Sequence, residues 1–335
     1  MKKKVLVTGG AGYIGSQTVL LFLRSGYEVC VIDSLERGYK TALSRVEGLS
    51  GKKVRFEQMD VRDEKQLDAV LRSFEPEAIL HFASYKSVGE AEKNPEMYFD
   101  NNVNGFRVLI SAMVRHEIKT LMFSSTAAVY GNGEIPLRED MRTGPVSVYG
   151  QTKLDMEKIA FEYADKGVNT VAFRYFNAVG ADDSGEIGED PSRSTNLLPL
   201  VLQTLVGKRE EVLLFGDGFS TSDGTQERDY IHVKDLALAH LLAVENPIKG
   251  FEAVNLSTGV ATSCMEVFKL AEKISGRKLN FRVVEPRQGD PEILCATNKK
   301  AKDLFGWVPK YAIKQSIADQ WYWTVKNPDG YGEAE

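Results

Sequence analysis

The run Val5-Leu6-Val7-Thr8-Gly9-Gly10-Ala11-Gly12-Tyr13-Ile14-Gly15 confines the fold more tightly than any other stretch of the chain. Its apolar start reads as a short strand, and Val19, Leu20, Phe22 and Leu23 then recur at helical spacing until Gly26 stops the helix. Glycines at 9, 12 and 15 let the backbone turn tightly, approach a pyrophosphate and pack helix on strand, with the helix N-terminus facing the phosphates. A second strand, Glu28-Val29-Cys30-Val31-Ile32, ends at Asp33. A carboxylate about 20 positions past the glycines suits the two hydroxyls of an adenosine ribose, which favours NAD over NADP. Arg37 stands close enough in sequence to meet a 2′-phosphate.

The alternation continues through Val54-Arg55-Phe56 to Asp60-Val61, a helix over 63–74 and the strand Ala78-Ile79-Leu80-His81-Phe82-Ala83. Ligands of doubly wound sheets lie outside the carboxyl ends of the strands, so Asp60, Ala83, Lys86 and the loop between them are expected to face the cofactor. His81, inside an apolar strand, reads as a packed, hydrogen-bonded histidine. A long amphipathic segment from Pro95 to His116 carries Asn101 and Asn102, whose amides suit either a ligand or the backbone. The next strand ends in Ser124-Ser125-Thr126, hydroxyls able to donate to a substrate oxygen. On the helix that follows, Tyr149 and Lys153 are four apart and put a phenol and an ammonium on one face. A free phenol titrates near ~10, so action as a base at neutral pH needs about 4 kcal/mol of extra stabilisation of the phenolate. The Lys153 cation could supply part of it. A sixth strand over 170–175 brings Phe176 and Asn177 to the same rim.

With 335 residues, 43% of them hydrophobic, the chain can bury a sizeable core, and its net charge of -5 argues against nucleic acid or a membrane surface as the main partner. No apolar run approaches the roughly 20 residues needed to span a bilayer. Cys30, Cys264 and Cys295 are scattered without a Cys-x-x-Cys, so neither a disulfide framework nor a metal site is expected, and a reducing cytoplasm fits. Past Gly180 the regular alternation lapses into loops at 181–185 and 216–224, where substrate specificity would be built. Arg228-Asp229-Tyr230-Ile231-His232-Val233 is expected to open a helix, and Ser263-Cys264-Met265-Glu266 has capping-box form before a helix that ends at Gly276. Trp321 and Trp323 on the last helix are expected to pack.

Taken with Asp100-Asn101-Asn102-Val103-Asn104-Gly105, Gly188-Glu189-Asp190-Pro191 and Arg174-Tyr175-Phe176-Asn177, these motifs make the chain resemble the extended short-chain dehydrogenase/reductase family, on the side of its UDP-hexose epimerases. The resemblance implies an α/β fold: a doubly wound parallel (Rossmann) sheet with a smaller C-terminal α/β domain. Residues 1–178 plus about 230–258 would hold NAD, and about 179–229 with 259–335 the UDP-sugar. It implies that Tyr149 takes the proton of the sugar 4-hydroxyl while NAD takes hydride from carbon 4, and that Lys153 holds the nicotinamide ribose and lowers the phenol's pKa. The keto sugar then turns over and hydride returns to its other face, so NAD is regenerated in each cycle and stays bound.

Thr126 matches a hydroxyl position that is usually serine, and Ser34 stands where the family usually has asparagine. The implied cofactor contacts are Gly9, Gly12, Tyr13, Ile14, Gly15, Asp33, Ser34, Asp60, Val61, Phe82, Ala83, Lys86, Asn101, Tyr149, Lys153, Tyr175 and Phe176. Those of the UDP-hexose are Lys86, Thr126, Tyr149, Asn177, Asn196, Leu197, Phe215, Arg228, Arg287, Asp290 and Leu294, the last setting tolerance for an N-acetyl group at carbon 2. A homodimer packed through the helices at about 95–116 and 148–166 is also implied. A dehydratase of this family would carry a carboxylate pair beside the hydroxyls, where Ala127-Ala128 stand. A non-catalytic NAD sensor would need no Tyr149, Lys153 and hydroxyl together.

Overall fold

The computed structural model describes residues 3–287 and 291–332. In chain order the first half runs β1 (Lys4–Thr8), α1 (Tyr13–Arg24), β2 (Glu28–Asp33), α2 (Lys40–Ser50), β3 (Arg55–Gln58), α3 (Glu64–Phe74), β4 (Ala78–His81), α4 (Val88–Lys93), α5 (Pro95–Tyr98), α6 (Gly105–Arg115), β5 (Thr120–Thr126), α7 (Val148–Ala164) and β6 (Asn169–Tyr175). Next come β7 (Asn177–Val179), α8 (Leu197–Leu205), β8 (Val212–Phe215), β9 (Glu227–His232), α9 (Val233–Glu245), β10 (Phe251–Leu256), β11 (Ala261–Ser263), α10 (Cys264–Ser275), β12 (Phe281–Val284), β13 (Ile293–Leu294), α11 (Lys299–Phe305) and α12 (Ile313–Lys326).

Seven strands form one sheet in the order β3-β2-β1-β4-β5-β6-β10, with every neighbouring pair parallel. A parallel sheet is covered on both faces, so its inner strands are apolar at successive positions and not only at alternate ones. Val5 and Val7 point into a core with Val19, Leu20 and Phe22 of α1 and Leu236 of α9. Leu6 points the other way, into a core with Leu67 of α3, Phe106 of α6 and Met156 and Ile159 of α7. The chain reverses its direction of travel across the sheet at β1, between β2 and β4, and that switch point opens the crevice where such sheets bind ligands.

Local signals fix several ends. The Asp63 carboxylate accepts from Gln66 N at the start of α3, Ser147 Oγ from Gly150 N at α7 and Ser263 Oγ from Glu266 N at α10. Gly276, at φ 67°, turns the chain out of α10. Two expectations need correcting. The long helix from Pro95 is interrupted by a π-helical turn at Phe99–Asn104, where the buried Asn102 amide finds partners away from its own segment. Residues 227–232 are not a helix start but strand β9, and the helix begins at Val233.

β9 is the centre of a second sheet, with β11 antiparallel on one side, β13 parallel on the other and β7 also paired to it. β8 and β12 form a separate parallel pair. Leu198, Leu202, Leu214, Tyr230, Phe268 and Ile317 make the core of this region. Trp323 is buried and donates its indole N–H to Glu189 O, whereas half-buried Trp321 packs at that core's edge. Among the described residues no helix is long and apolar enough to cross a membrane.

Candidate active site

A cleft of about 990 Å³ lies along the carboxyl ends of the main sheet and is walled on its far side by residues 188–190 and 194–196, Arg228 and Leu294. Its floor at one end is the turn between β1 and α1. Gly9 has φ +72°, and a Cβ there would stand 2.5 Å from Ala83 N; a Cβ on Gly15 would stand 2.2 Å from Gly9 O. Only glycine lets these segments close up, which leaves the start of α1 open to an anion, and no side chain caps that helix. Tyr13 is tied down by donating its hydroxyl to Gly180 O at 2.6 Å.

The Asp33 carboxylate accepts from Ala11 N at 3.0 Å and Leu35 N at 2.9 Å, so it fixes the glycine turn as well as facing the cleft. Burial pushes its pKa up, against those two N–H groups. Ser34 accepts from Glu36 N at 3.3 Å. The Arg62 guanidinium grips Asp60 with a fork that includes a 2.5 Å contact and holds that carboxyl below its ordinary range. Val61, Phe82, Ala83 and Asn101 line the same wall. The clearance at the glycines, the uncapped helix end and the carboxylate at the end of β2 together fit a dinucleotide.

Further along, β5 and α7 bring Thr126, Tyr149 and Lys153 into one cleft. Thr126 closes β5 and caps the one-turn helix after it, its Oγ1 accepting from Ala128 N at 3.2 Å. Tyr149 is the second residue of α7 and shares the cleft wall with Thr126. Lys153, one turn on, is 1% exposed and donates to Ser84 Oγ and to Ser124 O, each at 2.8 Å. Burial pushes the Lys153 ammonium down to about 7. Burial also pushes the Tyr149 phenol up to about 12, with only the Thr126 side chain opposing the rise. The protein by itself therefore holds this tyrosine protonated. The Lys153 ammonium is itself desolvated and aimed at Ser84 and Ser124.

Tyr175, Phe176 and Asn177 lie at the end of β6 and the start of β7 in the same cleft, with the Asn177 amide donating to Asp229 O at 3.0 Å. Leu294 sits on β13 in register with Arg228 of β9 and packs on a cluster that includes Ala127 and Phe176. Asn196 lines the cleft and donates to Glu189 Oε1 at 3.0 Å, and Lys86 donates to the same oxygen at 2.9 Å from the opposite side. Leu197, Phe215 and Arg287 are not among the cleft-lining residues. Leu197 packs on the core beneath α8, and the Arg287 guanidinium lies 3.8 Å from the centre of the Phe215 ring at the end of β8. Asp290 lies outside the described residues.

Sequence reasoning left three contributors without a role. Glu189 is buried and gathers Lys86, Ser194 and Asn196 on one oxygen. Asn102 accepts from Tyr85 N and donates to Tyr85 O and Thr152 Oγ1, clamping the loop after β4 to α7. Asp229, fully buried, accepts from Ser257, Thr258 and Gly259 behind Asn177 and Arg228. The doubled asparagine at 101–102 and the Asp in Arg228-Asp229-Tyr230 were visible as motifs, but their partners are far away in the chain. His81 is the packed histidine expected, fully buried with Nδ1 at 2.7 Å from Thr8 Oγ1. Among the described residues no group of three or more His, Cys, Asp or Glu could hold a metal ion.

A sequence model of the NAD dependent epimerase/dehydratase family matches residues 5–257. UDP-glucose 4-epimerase of Bacillus subtilis is 43% identical over 99% of this chain and 99% of its own. Among solved structures, the UDP-glucose 4-epimerase of Bifidobacterium longum in complex with NAD+ and UDP superposes with a TM-score of 0.94 at 40% identity, covering 98% of this chain and 100% of that one. That of Stenotrophomonas maltophila, with bound NAD and formylated UDP-arabinopyranose, superposes with a TM-score of 0.95 at 37% identity, covering 97% of this chain and 99% of that one.

Proposed function

Because the chain belongs to the NAD dependent epimerase/dehydratase family, we propose that it interconverts UDP-glucose and UDP-galactose, with Tyr149 as the base. The observation that carries this reading is the meeting of Tyr149 and Thr126 over buried Lys153, in one cleft with the glycine turn. NAD held there would supply a reversible hydride acceptor for carbon 4 of the sugar and, in its oxidised ring, the positive charge that favours a phenolate. Tyr149 receives the proton of the 4-hydroxyl and gives it back after the keto sugar has presented its other face. Thr126 holds the same oxygen, so the hydroxyl stays within reach of the phenol in both orientations.

Lys153 orients the nicotinamide ribose and, once a phenolate exists, stabilises it as the nearby cation on the same helix face. Gly9, Gly12, Tyr13, Ile14, Gly15, Asp33, Ser34, Asp60, Val61, Phe82, Ala83, Lys86, Asn101, Tyr175 and Phe176 form the cofactor wall. Asn177, Asn196, Arg228 and Leu294 face the sugar nucleotide from the other side, and Leu197, Phe215, Arg287 and Asp290 complete its nucleotide end. Residues 1–178 with about 230–258 hold the cofactor, and about 179–229 with 259–335 the UDP-hexose. The protein works in the cytoplasm as a homodimer. Exposed Phe99, Val114 and Phe161 on the segments 95–116 and 148–166 support that contact, and light scattering tests it.

The test of the chemistry is incubation with UDP-glucose and chromatography of the products. UDP-galactose should form, and Tyr149→Phe should lower turnover by orders of magnitude while NAD binding and thermal stability stay near wild type. Near-normal epimerisation in that variant would dismiss Tyr149 as the base.

A further inference from the structure

β2 and β4 flank β1 in the main sheet, so the loops that follow them leave from either side of the glycine turn. These two loops are joined. Arg37, in the loop after β2, places Nη1 2.7 Å from Glu90 Oε2 and Nη2 2.9 Å from Glu90 Oε1, a two-pronged fork onto α4. The same guanidinium lies 3.9 Å from the centre of the Tyr85 ring, and the Tyr85 hydroxyl donates back across the gap to Glu36 Oε2 at 2.6 Å. Glu90 is steadied in turn by the Tyr98 hydroxyl at 2.8 Å. All of Glu36, Arg37, Tyr85 and Glu90 line the cleft, next to the carboxylate of Asp33. Leu35, at φ 63°, turns the chain so that Glu36 and Arg37 reach across. A branched residue adopts that conformation at a cost, which the surrounding contacts must offset.

We propose that these four residues form a clasp that closes the adenosine end of the cleft, slows the release of NAD and withholds Arg37 from a 2′-phosphate. The inference rests on the dinucleotide reading of the cleft and adds two things to it. A fork with parallel N–H···O bonds, stacked on an aromatic ring and doubled by a second bond, is a stronger closure than a lone surface ion pair. Arg37 also has both terminal nitrogens engaged by Glu90 and its Nε 3.8 Å from the Glu36 carboxylate, so a 2′-phosphate arriving there meets an already paired guanidinium and a neighbouring carboxylate. An arginine that in sequence could admit NADP thereby helps to reject it.

The test uses the purified holoenzyme. Release of bound NAD is followed by trapping it with an excess of an NAD-consuming dehydrogenase, for wild type, Arg37→Ala, Glu90→Gln and the double variant. The amide introduced by Glu90→Gln can still accept from the Tyr98 hydroxyl, so that neighbour is spared. Each single variant should release NAD about fivefold faster or more, the size expected of one well-formed ion pair. The double variant should be no faster than the faster single, because the two residues act as one unit. NADP binding to stripped Glu90→Gln should tighten relative to wild type, and in Arg37→Ala it should not. Release within twofold of wild type in both singles would overturn the clasp, and unchanged NADP affinity in Glu90→Gln would overturn the part assigned to Arg37. A wild-type protein that carries no NAD and has no affinity for it would overturn the dinucleotide reading itself.

Discussion

Replacing Lys153 by methionine should make the nucleotide-free protein more stable at neutral pH while destroying its function. Lys153 is 1% exposed, and burial holds it at about 7 in the folded protein against an ordinary value of 10.5. The unfolded chain therefore binds a proton that the folded chain resists. The penalty is fully present below the folded value, fades as pH rises and vanishes above the unfolded value. Integrated over that window it is about 4 kcal/mol at pH 7 and about 2 kcal/mol at pH 9.

Methionine has a similar length and no charge, but it leaves Ser84 Oγ and Ser124 O without their donor, a loss of about 2 kcal/mol. The net expectation is a gain of about 2 kcal/mol at pH 7 that shrinks to about zero at pH 9. Urea unfolding of stripped protein, followed by the fluorescence of buried Trp307 and Trp323, measures both. Taking the difference between the two proteins cancels other titrating groups, among them the thiols of Cys30 and Cys295, which burial pushes up to about 12. The same stability gap at both pH values would refute a lysine poised near neutrality.

Purified protein should carry NAD through dialysis, since a cofactor regenerated in every cycle need not leave; mass spectrometry after denaturation would identify it, and NADP in its place would contradict the role given to Asp33. Wild-type protein should convert UDP-N-acetylglucosamine more slowly than UDP-glucose, and Leu294→Tyr should abolish the former and spare the latter, because Leu294 faces the cleft beside Phe176 and bulk there excludes only the larger sugar. Parallel loss of both activities, or of neither, would remove Leu294 as the gate. Asp229→Ala should cost about 2 kcal/mol in urea unfolding, as it takes the acceptor from the buried Ser257 hydroxyl and from the partly buried N–H groups of Thr258 and Gly259. Near-wild-type stability would show that those donors find other partners.

The cofactor half was legible because each of its signals is local. Strand, glycine turn, helix and terminal carboxylate follow one another within Val5–Asp33, and the buried parallel strands announce themselves as unbroken apolar runs. The π-helical turn at Phe99–Asn104 was not legible, since Asn102 is taken up by Tyr85 and Thr152, and nothing in its own segment shows that demand. β9 read as a helix start because it runs without a turn residue into the Leu- and Ala-rich helix at Val233, although Tyr230 and Ile231 favour a strand, and its neighbours β7, β11 and β13 come from three distant parts of the chain. Glu189 looked like one acid in a loop, yet its partner Lys86 is 103 residues away. The Tyr149–Lys153 spacing announced the device but not its resting state, because desolvation is set by the whole fold and acts on both groups.

The most direct test of the central claim is the fate of the hydrogen on carbon 4. UDP-glucose deuterated at that position should be converted in ordinary water to UDP-galactose that keeps its deuterium, while the unlabelled reaction run in D2O should place none on carbon. In the proposed reaction Tyr149 would exchange only the hydroxyl proton with water, and the carbon-bound hydrogen would leave and return without passing through solvent. Loss of the label to solvent, or its appearance from D2O, would mean that a proton is abstracted from carbon, and the account of this site as an NAD-dependent 4-epimerase would be wrong.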